Sequence, residues 1–423
     1  MAEEEYAIAV VGGATAGAEA ADIFAKHGIL TVVFEQNARP YGKVEDGLPR
    51  WHVALRQKEY KTIDRKLCQE HVHFVPCTAL GRDIALQDLV ENWGFHSVVL
   101  ANGAWRDRPL PIEGADRYID RGLVYQNPFI MWFNHRHEAS YEGEEYQILD
   151  GTIVVGGGLA SIDVAKAINM QLTLDALEER GIEGELVELE IKGIPRTLEK
   201  YGLSWDDLGL EGSTIYYRRR PQDMPLVSMP DKVTDKAREK IEKSRARILQ
   251  KAMEKYLFKL VQQRAPVGLI TENDRLVGLE FAKTLVEDGR VKLTDERVEL
   301  RGPQFISSIG SVPAPIEGIP MNGELYDYQD WDVGRLEPFP TLFSAGNVVT
   351  GKGNIVDSRR HAKKVAGYIA DEYFEIAAEV KKLEPLSVEA LEALRKRVKA
   401  RQEQLQYADY ESWIEASKPP EFL

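Results

Sequence analysis

Cysteine is scarce in this sequence, which holds only Cys68 and Cys77 among its 423 residues. The two positions do not form a Cys-x-x-Cys redox pair, and two thiols are too few to ligate an iron–sulfur cluster unaided. A structural disulfide is not expected, because the sequence otherwise reads as that of a cytoplasmic protein, in which thiols stay reduced. We therefore predict two free thiols and no metal site.

A long apolar run and an excess of basic residues are also missing. No apolar stretch reaches the roughly 18 residues that would span a bilayer, so no membrane insertion is expected. Residues 1–5 are acidic and show neither the basic nor the apolar region of a secretory signal, which predicts a cytoplasmic location. The net charge of −14 argues against nucleic acid as a partner.

Two glycine-rich turns are the most informative feature that is present. Each follows a short apolar run and precedes a helix-like stretch, which is the order in which dinucleotide-binding folds hold a pyrophosphate. The first turn consists of Gly12, Gly13, Ala14, Thr15, Ala16 and Gly17, and the second consists of Gly156, Gly157, Gly158, Leu159, Ala160 and Ser161. One such turn is a weak signal, but two in one chain predict two dinucleotide sites with electron transfer between them.

The first turn is predicted to bind FAD. Backbone N–H groups at the start of the helix predicted over residues 18–27 lack internal partners and lie at the positive end of the helix dipole, which suits a pyrophosphate. Glu35 follows the next strand, about 20 residues beyond the first glycine, where an acid binds the hydroxyls of a ribose without a 2′-phosphate. Ala14 departs from the pattern, because it stands where a second glycine lets the backbone approach the phosphate. The alternative is a strand–turn–helix without a ligand.

The second turn is followed by basic residues instead of an acid. The strand predicted over residues 213–217 ends in Arg218, Arg219 and Arg220. Guanidinium groups bind a 2′-phosphate through charge-assisted, bidentate hydrogen bonds, so NADP is predicted here, with NAD as the weaker alternative. Ser161 replaces the third glycine, which predicts a slightly wider spacing of helix and strand. The remaining alternative is a solvated strand end or a salt-bridge cluster.

The order of the elements predicts an α/β protein with two Rossmann-like dinucleotide-binding domains and parallel sheets. Further strands are predicted over residues 97–101 and 305–310, each ending in small residues close to the expected dinucleotide. Proline-rich stretches at residues 109–111 and 313–315 predict hinges between domains. Residues 172–208 and 231–263 are predicted to form long polar helical insertions in the second domain.

These motifs resemble the adrenodoxin reductase and glutamate synthase small-subunit branch of the FAD-dependent pyridine nucleotide oxidoreductases, from Tyr6 to about Ile369. The resemblance implies an FAD-binding domain over residues 1–118 and 325–423, into which an NAD(P)-binding domain over residues 119–324 is inserted. Besides the two turns, it is carried by residues 40–44, 47–52, 80–84, 162–165, 217–219, 224–225, 307–310, 343–348 and 350–355.

The resemblance also implies roles for individual residues. FAD would be bound by the first turn and by Glu35, Gln36, Gly42, Lys43, Val44, Leu80, Ala101, Asn102, Gly103, Gly346, Asn347, Gly353, Asn354 and Ile355. NADP would be bound by Gly156, Gly158, Leu159, Ala160, Ser161, Arg218, Arg219 and Gly310. His52 would lie along the flavin as the candidate catalytic residue for proton transfer, with a structural hydrogen bond as its alternative role. Asn347 departs from the family, which usually has an acid or a tryptophan at this position.

The activity implied is electron transfer between NAD(P)(H) and a one-electron iron–sulfur protein of the ferredoxin type, through FAD. One alternative is an FAD- and NAD(P)-binding subunit of a larger complex with a permanently bound iron–sulfur subunit, and another is a non-catalytic flavoprotein scaffold. A basic stripe on the helix predicted near the C-terminus is either a docking face for an acidic partner or a solvated helix face. It consists of Arg395, Lys396, Arg397, Lys399 and Arg401.

Overall fold

The chain folds into two units, each built on a parallel sheet, in a computed structural model that describes residues 6–230, 233–287, 289–337, 339–351, 353–374 and 384–418. Unit one comprises Met1–Arg106, His137–Tyr141 and Ser311–Leu423, and unit two comprises Asp107–Arg136 and Glu142–Gly310. Parallel sheets flanked by helices in both units confirm the predicted α/β class with two Rossmann-like domains.

The elements follow each other in chain order. The strands are β1 (Ala7–Val11), β2 (Leu30–Phe34), β3 (Val72–Val75), β4 (Ser97–Leu100), β5 (Arg106–Asp107), β6 (Leu123–Tyr125), β7 (Ile153–Gly156), β8 (Thr214–Tyr217), β9 (Lys259–Gln262), β10 (Arg264–Glu272), β11 (Arg275–Glu287), β12 (Arg290–Arg301), β13 (Phe305–Ser308), β14 (Ser311–Val312), β15 (Met321–Asn322), β16 (Leu325–Tyr326), β17 (Tyr328–Asp330), β18 (Arg335–Leu336) and β19 (Leu342–Ser344). The α-helices are α1 (Thr15–Lys26), α2 (Val53–Leu67), α3 (Leu86–Glu91), α4 (Gln126–His135), α5 (Leu159–Glu178), α6 (Leu186–Lys192), α7 (Ile194–Glu199), α8 (Trp205–Leu208), α9 (Asp235–Tyr256), α10 (Asn347–Thr350), α11 (Ile355–Gly367), α12 (Val388–Gln404) and α13 (Tyr410–Ser417). None of these described helices is both long and apolar enough to cross a membrane.

Unit one contains a seven-stranded sheet in the order β17-β18-β19-β4-β1-β2-β3. The five strands from β19 to β3 are parallel, and their carboxyl ends therefore lie along one edge. Every residue of β1, β2 and β4 is buried, as expected for parallel strands that are covered on both faces. Helices α1, α2 and α11 pack together on the sheet around Phe24, Ile63 and Val365.

Unit two contains a parallel sheet in the order β6-β13-β7-β8-β9 and an antiparallel sheet of β10, β11 and β12. The two sheets share one apolar core, in which Phe281 and Leu279 of β11 pack with Phe305 of β13 and Ile153 of β7. The Phe281 ring also lies against Tyr216, with ring centroids 4.8 Å apart. The antiparallel sheet thus packs as a second layer on the parallel sheet.

Several elements differ from the sequence prediction. Helix α1 begins three residues earlier than predicted, within the glycine turn itself. The segment over residues 172–208 is not one insertion, because α5 runs from the second turn to Glu178 and three short helices follow. Within the helical insertion predicted over residues 231–263, only α9 is an α-helix, and strand β9 follows it. Residues 231–232 lie outside the described part. The antiparallel sheet was not predicted, because most residues of β12 are exposed and polar and give no apolar run.

Helices α12 and α13 lie in the C-terminal segment, and both pack on unit one. Leu394 and Val398 of α12 join the core beside β3, while Tyr410 and Ile414 of α13 join the core around α2. Both cysteines are free thiols, as predicted.

Replacing Phe281 by alanine is expected to destabilise unit two by about 3–5 kcal/mol, because it removes a fully buried ring and leaves a cavity between the two sheets. Urea unfolding followed by circular dichroism measures the loss. The matched control is Leu293→Ala in the neighbouring strand β12, where the side chain is 55% exposed and its removal should cost little. Equal losses in both variants would contradict the observed packing of the antiparallel sheet.

Candidate dinucleotide-binding sites

The residues predicted to bind FAD come together at one edge of the unit-one sheet. The first turn follows β1, Glu35 follows β2, Ala101 follows β4, and Gly346 lies two residues beyond β19. Backbone hydrogen bonds tie these ends to each other, since the N–H of Ala101 donates to Val11 and the N–H of Gly12 donates to Phe34. Ligands of open parallel sheets bind outside the carboxyl ends of the strands, which is where these residues lie.

Three glycines of this edge leave no space for a side chain. Gly12 has a φ of +97°, and a Cβ on it would lie 2.7 Å from the carbonyl oxygen of Ala101. A Cβ on Gly17 would lie 1.8 Å from the carbonyl oxygen of Gly12, and one on Gly346 would lie 2.5 Å from the Cβ of Ala16. The backbone is therefore bare on both sides of the start of α1, as a bound pyrophosphate requires.

Gly42 explains why Ala14, the unusual residue of the first turn, is tolerated. Gly42, in the segment predicted to lie along the flavin, has a φ of +49°, and a Cβ on it would lie 2.9 Å from the Cβ of Ala14. The missing side chain of Gly42 thus provides room for the methyl group of Ala14. Ala14 is also the N-cap of α1 and provides no side-chain acceptor for the helix N–H groups.

Glu35 is buried and fastens the first turn to the end of β2. Its Oε2 accepts a hydrogen bond from the N–H of Gly13 at 2.8 Å, and its Oε1 accepts one from the N–H of Asn37 at 3.0 Å. Burial raises the pKa of Glu35 to about 7, although the two backbone donors act in the opposite direction. The neighbouring Gln36 is exposed.

Asn102 carries an unused acceptor at the same edge. Its Oδ1 is buried and has no hydrogen-bond partner among the described residues, whereas its Nδ2 lies 3.3 Å from the hydroxyl of Tyr326. Buried acceptors without a partner are costly, so this oxygen fits a donor supplied by a ligand. Gly103 follows with a φ of +71° beside the indole of Trp105.

The other residues predicted to bind the flavin are held by bonds within unit one. Lys43 donates to Ser311 at 3.2 Å and lies over the ring of Trp105 at 5.4 Å. His52 is the N-cap of α2, and its Nε2 accepts a hydrogen bond from the indole N–H of Trp51 at 3.1 Å. Val44 is buried, and Leu80 is half-buried in a loop after β3. The role of His52 in proton transfer stays a prediction.

The side chain of Asn347 stabilises the loop between α10 and α11. Its Oδ1 accepts a hydrogen bond from the N–H of Gly353 at 2.7 Å. The next residue, Asn354, caps α11 by accepting from the N–H of Asp357 at 2.8 Å, and Ile355 opens that helix. Lys352 of the same motif lies outside the described residues. The side chain of Asn347 therefore shapes the segment predicted to meet the flavin.

The second turn forms a similar arrangement in unit two. A Cβ on Gly156 would lie 2.3 Å from the carbonyl oxygen of Ser308, and the hydroxyl of Ser161 donates to that same oxygen at 3.1 Å. Ser161 thus joins the start of α5 to the end of β13. Gly158 has open space where a side chain would be, and Gly310 has a φ of +108°. Leu159, the first residue of α5, is 49% exposed, and Ala160 beside it is half-buried.

The three arginines after β8 have different surroundings. Arg220 forms an ion pair with Asp223 at 2.9 Å, and Arg219 donates to the carbonyl oxygen of Gly289 at 2.8 Å. The guanidinium of Arg218 is exposed and makes no hydrogen bond or ion pair in the described part of the chain. Its own carbonyl oxygen accepts a hydrogen bond from Thr284 at 2.8 Å. The sequence analysis did not identify Thr284 as a residue that positions Arg218. The one signal for it in the sequence is a hydroxyl residue within the largely apolar run of β11.

The basic stripe on α12 divides into two parts. Arg397 donates to Asp88 at 2.7 Å and lies 4.1 Å from the centre of the Trp93 ring, and Arg401 donates to Thr78 at 3.1 Å. These two arginines hold α12 on unit one. The other three basic residues, Arg395, Lys396 and Lys399, are exposed.

No family model matches this chain, but comparison with known proteins confirms its predicted similarity to adrenodoxin reductases and glutamate synthase small subunits. It is 23% identical over 407 residues to the mitochondrial NADPH:adrenodoxin oxidoreductase of Arabidopsis thaliana, across 86% of this chain and 82% of that relative. It is 30% identical over 168 residues to the glutamate synthase (NADPH) small chain of Bacillus subtilis, but this match covers only 33% of that relative and 39% of this chain. The solved structure of Mycobacterium tuberculosis FprA in complex with NADPH has the same fold, with a TM-score of 0.69 at 18% identity over 95% of this chain and 91% of FprA.

The raised pKa of Glu35 predicts a specific pH dependence of the FAD-free protein. A carboxyl whose pKa rises on folding stabilises the native state below its unfolded value near 4.5, and this contribution is lost as pH rises through about 7. The loss amounts to as much as about 3 kcal/mol. Urea unfolding between about pH 4.5 and 8 is expected to show this decline in the wild type and a flatter profile in Glu35→Gln. Parallel profiles for the two proteins would contradict the assignment.

Proposed function

We propose that this protein transfers electrons between NADP(H) and a one-electron iron–sulfur protein through bound FAD, a function supported by its similarity to an NADPH:adrenodoxin oxidoreductase and to the fold of FprA. The observation that carries the proposal is the pair of bare glycine turns, one in each unit, both at the carboxyl end of a parallel sheet. Each turn is joined to the neighbouring strand ends in a way that leaves helix N–H groups for a pyrophosphate.

FAD fits unit one. The start of α1 would hold its pyrophosphate, and Glu35 the hydroxyls of its ribose, while Oδ1 of Asn102 supplies an acceptor that the protein leaves unused. When bound, FAD takes two electrons from a nicotinamide and passes them on one at a time. The protein contributes position and electrostatics, and no nucleophilic side chain is needed.

NADP fits unit two. The N-terminus of α5 would bind its pyrophosphate beside Gly158, where the space is open. Arg218 and Arg219 lie at the end of β8, where the second strand of a dinucleotide fold meets the adenosine ribose. Their guanidinium groups would distinguish a 2′-phosphate from a free hydroxyl.

The electron acceptor is proposed to be an iron–sulfur protein of the ferredoxin type. The chain has only two cysteines, both free, and so offers no cluster of its own to accept electrons from FAD. A diffusing partner and a permanently bound iron–sulfur subunit are distinguished by the native mass of the purified protein. The cytoplasmic location stays a prediction.

Neutralising Arg218 and Arg219 together is expected to weaken NADPH binding far more than NADH binding. Each charged hydrogen bond to a 2′-phosphate contributes about 1.5–3 kcal/mol, so the preference for NADPH should fall roughly 10- to 100-fold per contact. Stopped-flow reduction of the flavin by each nucleotide measures this ratio. Arg220→Ala is the matched control, because Asp223 already occupies that guanidinium. A wild type that prefers NADH would overturn the assignment of the arginines.

The exposed part of the α12 stripe is the proposed docking face for an acidic iron–sulfur protein. Replacing Arg395, Lys396 and Lys399 by glutamine should slow reduction of a ferredoxin and flatten its dependence on ionic strength, because long-range attraction is lost. Reduction of ferricyanide by NADPH should not change. A control variant neutralises Lys192, Lys200 and Lys243, which are at least half exposed on unit two. An equal decrease in the rate of ferredoxin reduction in both variants would show that the effect comes from net charge alone.

A further inference from the structure

The loop over residues 38–45 contains the segment predicted to lie along the flavin, and the C-terminal helix α13 binds it directly. The indole N–H of Trp413 donates to the carbonyl oxygen of Ala38 at 2.8 Å. The guanidinium of Arg39 donates to the carbonyl oxygen of Ser417, the last residue of α13. Two main-chain oxygens, one on each partner, are thus satisfied across this contact.

A third connection between α13 and the loop runs through a shared acid. The carboxylate of Asp64 on α2 accepts hydrogen bonds from the hydroxyl of Tyr410 at 2.8 Å and from the hydroxyl of Tyr41 at 3.0 Å. Tyr41 is only 1% exposed and immediately precedes Gly42. Tyr410 and Ile414 are buried in the same apolar cluster as Tyr41.

The rest of the loop is fixed by α2. Arg39 donates from its Nε to Glu45 at 2.8 Å, and Arg56 of α2 donates to the carbonyl oxygen of Glu45 at 3.0 Å. The Tyr41 ring lies 4.1 Å from the Tyr60 ring, measured between centroids. The loop therefore lies between α2 and α13, and removing α13 would leave Ala38, Arg39 and Tyr41 without part of their support.

We propose that α13 is a clamp that holds the loop over residues 38–45 in the conformation that receives FAD, and that its contacts slow the release of FAD. The inference rests on the proposed FAD site, since Gly42, Lys43 and Val44 contact the flavin only in that scheme. It assigns a function to a C-terminal helix beyond the residues that carry the family resemblance.

The test uses the full-length protein with Tyr410→Phe, Trp413→Phe and the double variant. Tyr410→Phe removes one hydrogen-bond donor and keeps the ring. Trp413→Phe removes the indole N–H together with part of the indole ring, so an aromatic side chain still packs at both positions. Release of FAD, followed by the rise in flavin fluorescence after dilution, should be about threefold faster in each single variant and about tenfold faster in the double variant. Glu415→Gln on the exposed side of α13 is the matched control and should leave release unchanged.

Hydrogen exchange measured on the FAD-free protein provides a readout that is independent of the cofactor. The N–H groups of Val44, Glu45 and Asp46 donate to carbonyl oxygens of the loop and should exchange faster in the double variant, whereas the strands of the sheet should keep their protection. Faster exchange throughout unit one would mean general destabilisation and would overturn the clamp.

The remaining outcomes separate the clamp from the proposed function. A wild type that holds FAD, with variants that release it at the same rate, overturns the clamp and leaves the electron-transfer proposal standing. A wild type that binds no FAD overturns both. Rapid FAD release in the variants together with local loss of protection supports the clamp, whichever electron acceptor the protein uses.

Discussion

The structure of unit one depends on the close approach of α1 to the end of β1. Gly17 lies so near Gly12 that even a methyl group would collide with its carbonyl oxygen, and Gly346 approaches Ala16 from the other side. Helix, strand and the loop after β19 therefore meet around unsubstituted backbone. This arrangement puts helix N–H groups, the buried carboxylate of Glu35 and the unused oxygen of Asn102 along one sheet edge.

The sequence was sufficient to predict this edge because the signals are local. An apolar run, a glycine turn and a helix follow each other within about 20 residues, and Glu35, predicted to follow the next strand, comes directly after β2. The strand predicted over residues 213–217, before the arginines, is also present as β8, and its start differs from the prediction by one residue. The resemblance to flavin-dependent reductases then added the segment after β19, which no spacing rule connects to the first turn.

What the sequence could not predict depends on contacts between distant segments. Strand β12 gave no signal, because most of its side chains are exposed and it is held by pairing with β11. The five basic residues of α12 look equivalent in sequence, yet Arg397 and Arg401 bind residues of unit one more than 300 positions away. The same holds for Asp64, whose two tyrosine partners come from opposite ends of the chain.

The bond between Arg219 and the carbonyl oxygen of Gly289 has a consequence for changing nucleotide preference by design. The turn between β11 and β12 positions one of the two arginines proposed to read the 2′-phosphate, and Thr284 of β11 anchors the backbone of the other. The segment over residues 218–220 is thus held by contacts with a hairpin that is remote in the chain. Exchanging only residues 218–220 for those of an NADH-dependent relative would keep a hairpin whose Gly289 carbonyl oxygen accepts from an arginine. A working exchange therefore has to include both residues 218–220 and the β11–β12 hairpin.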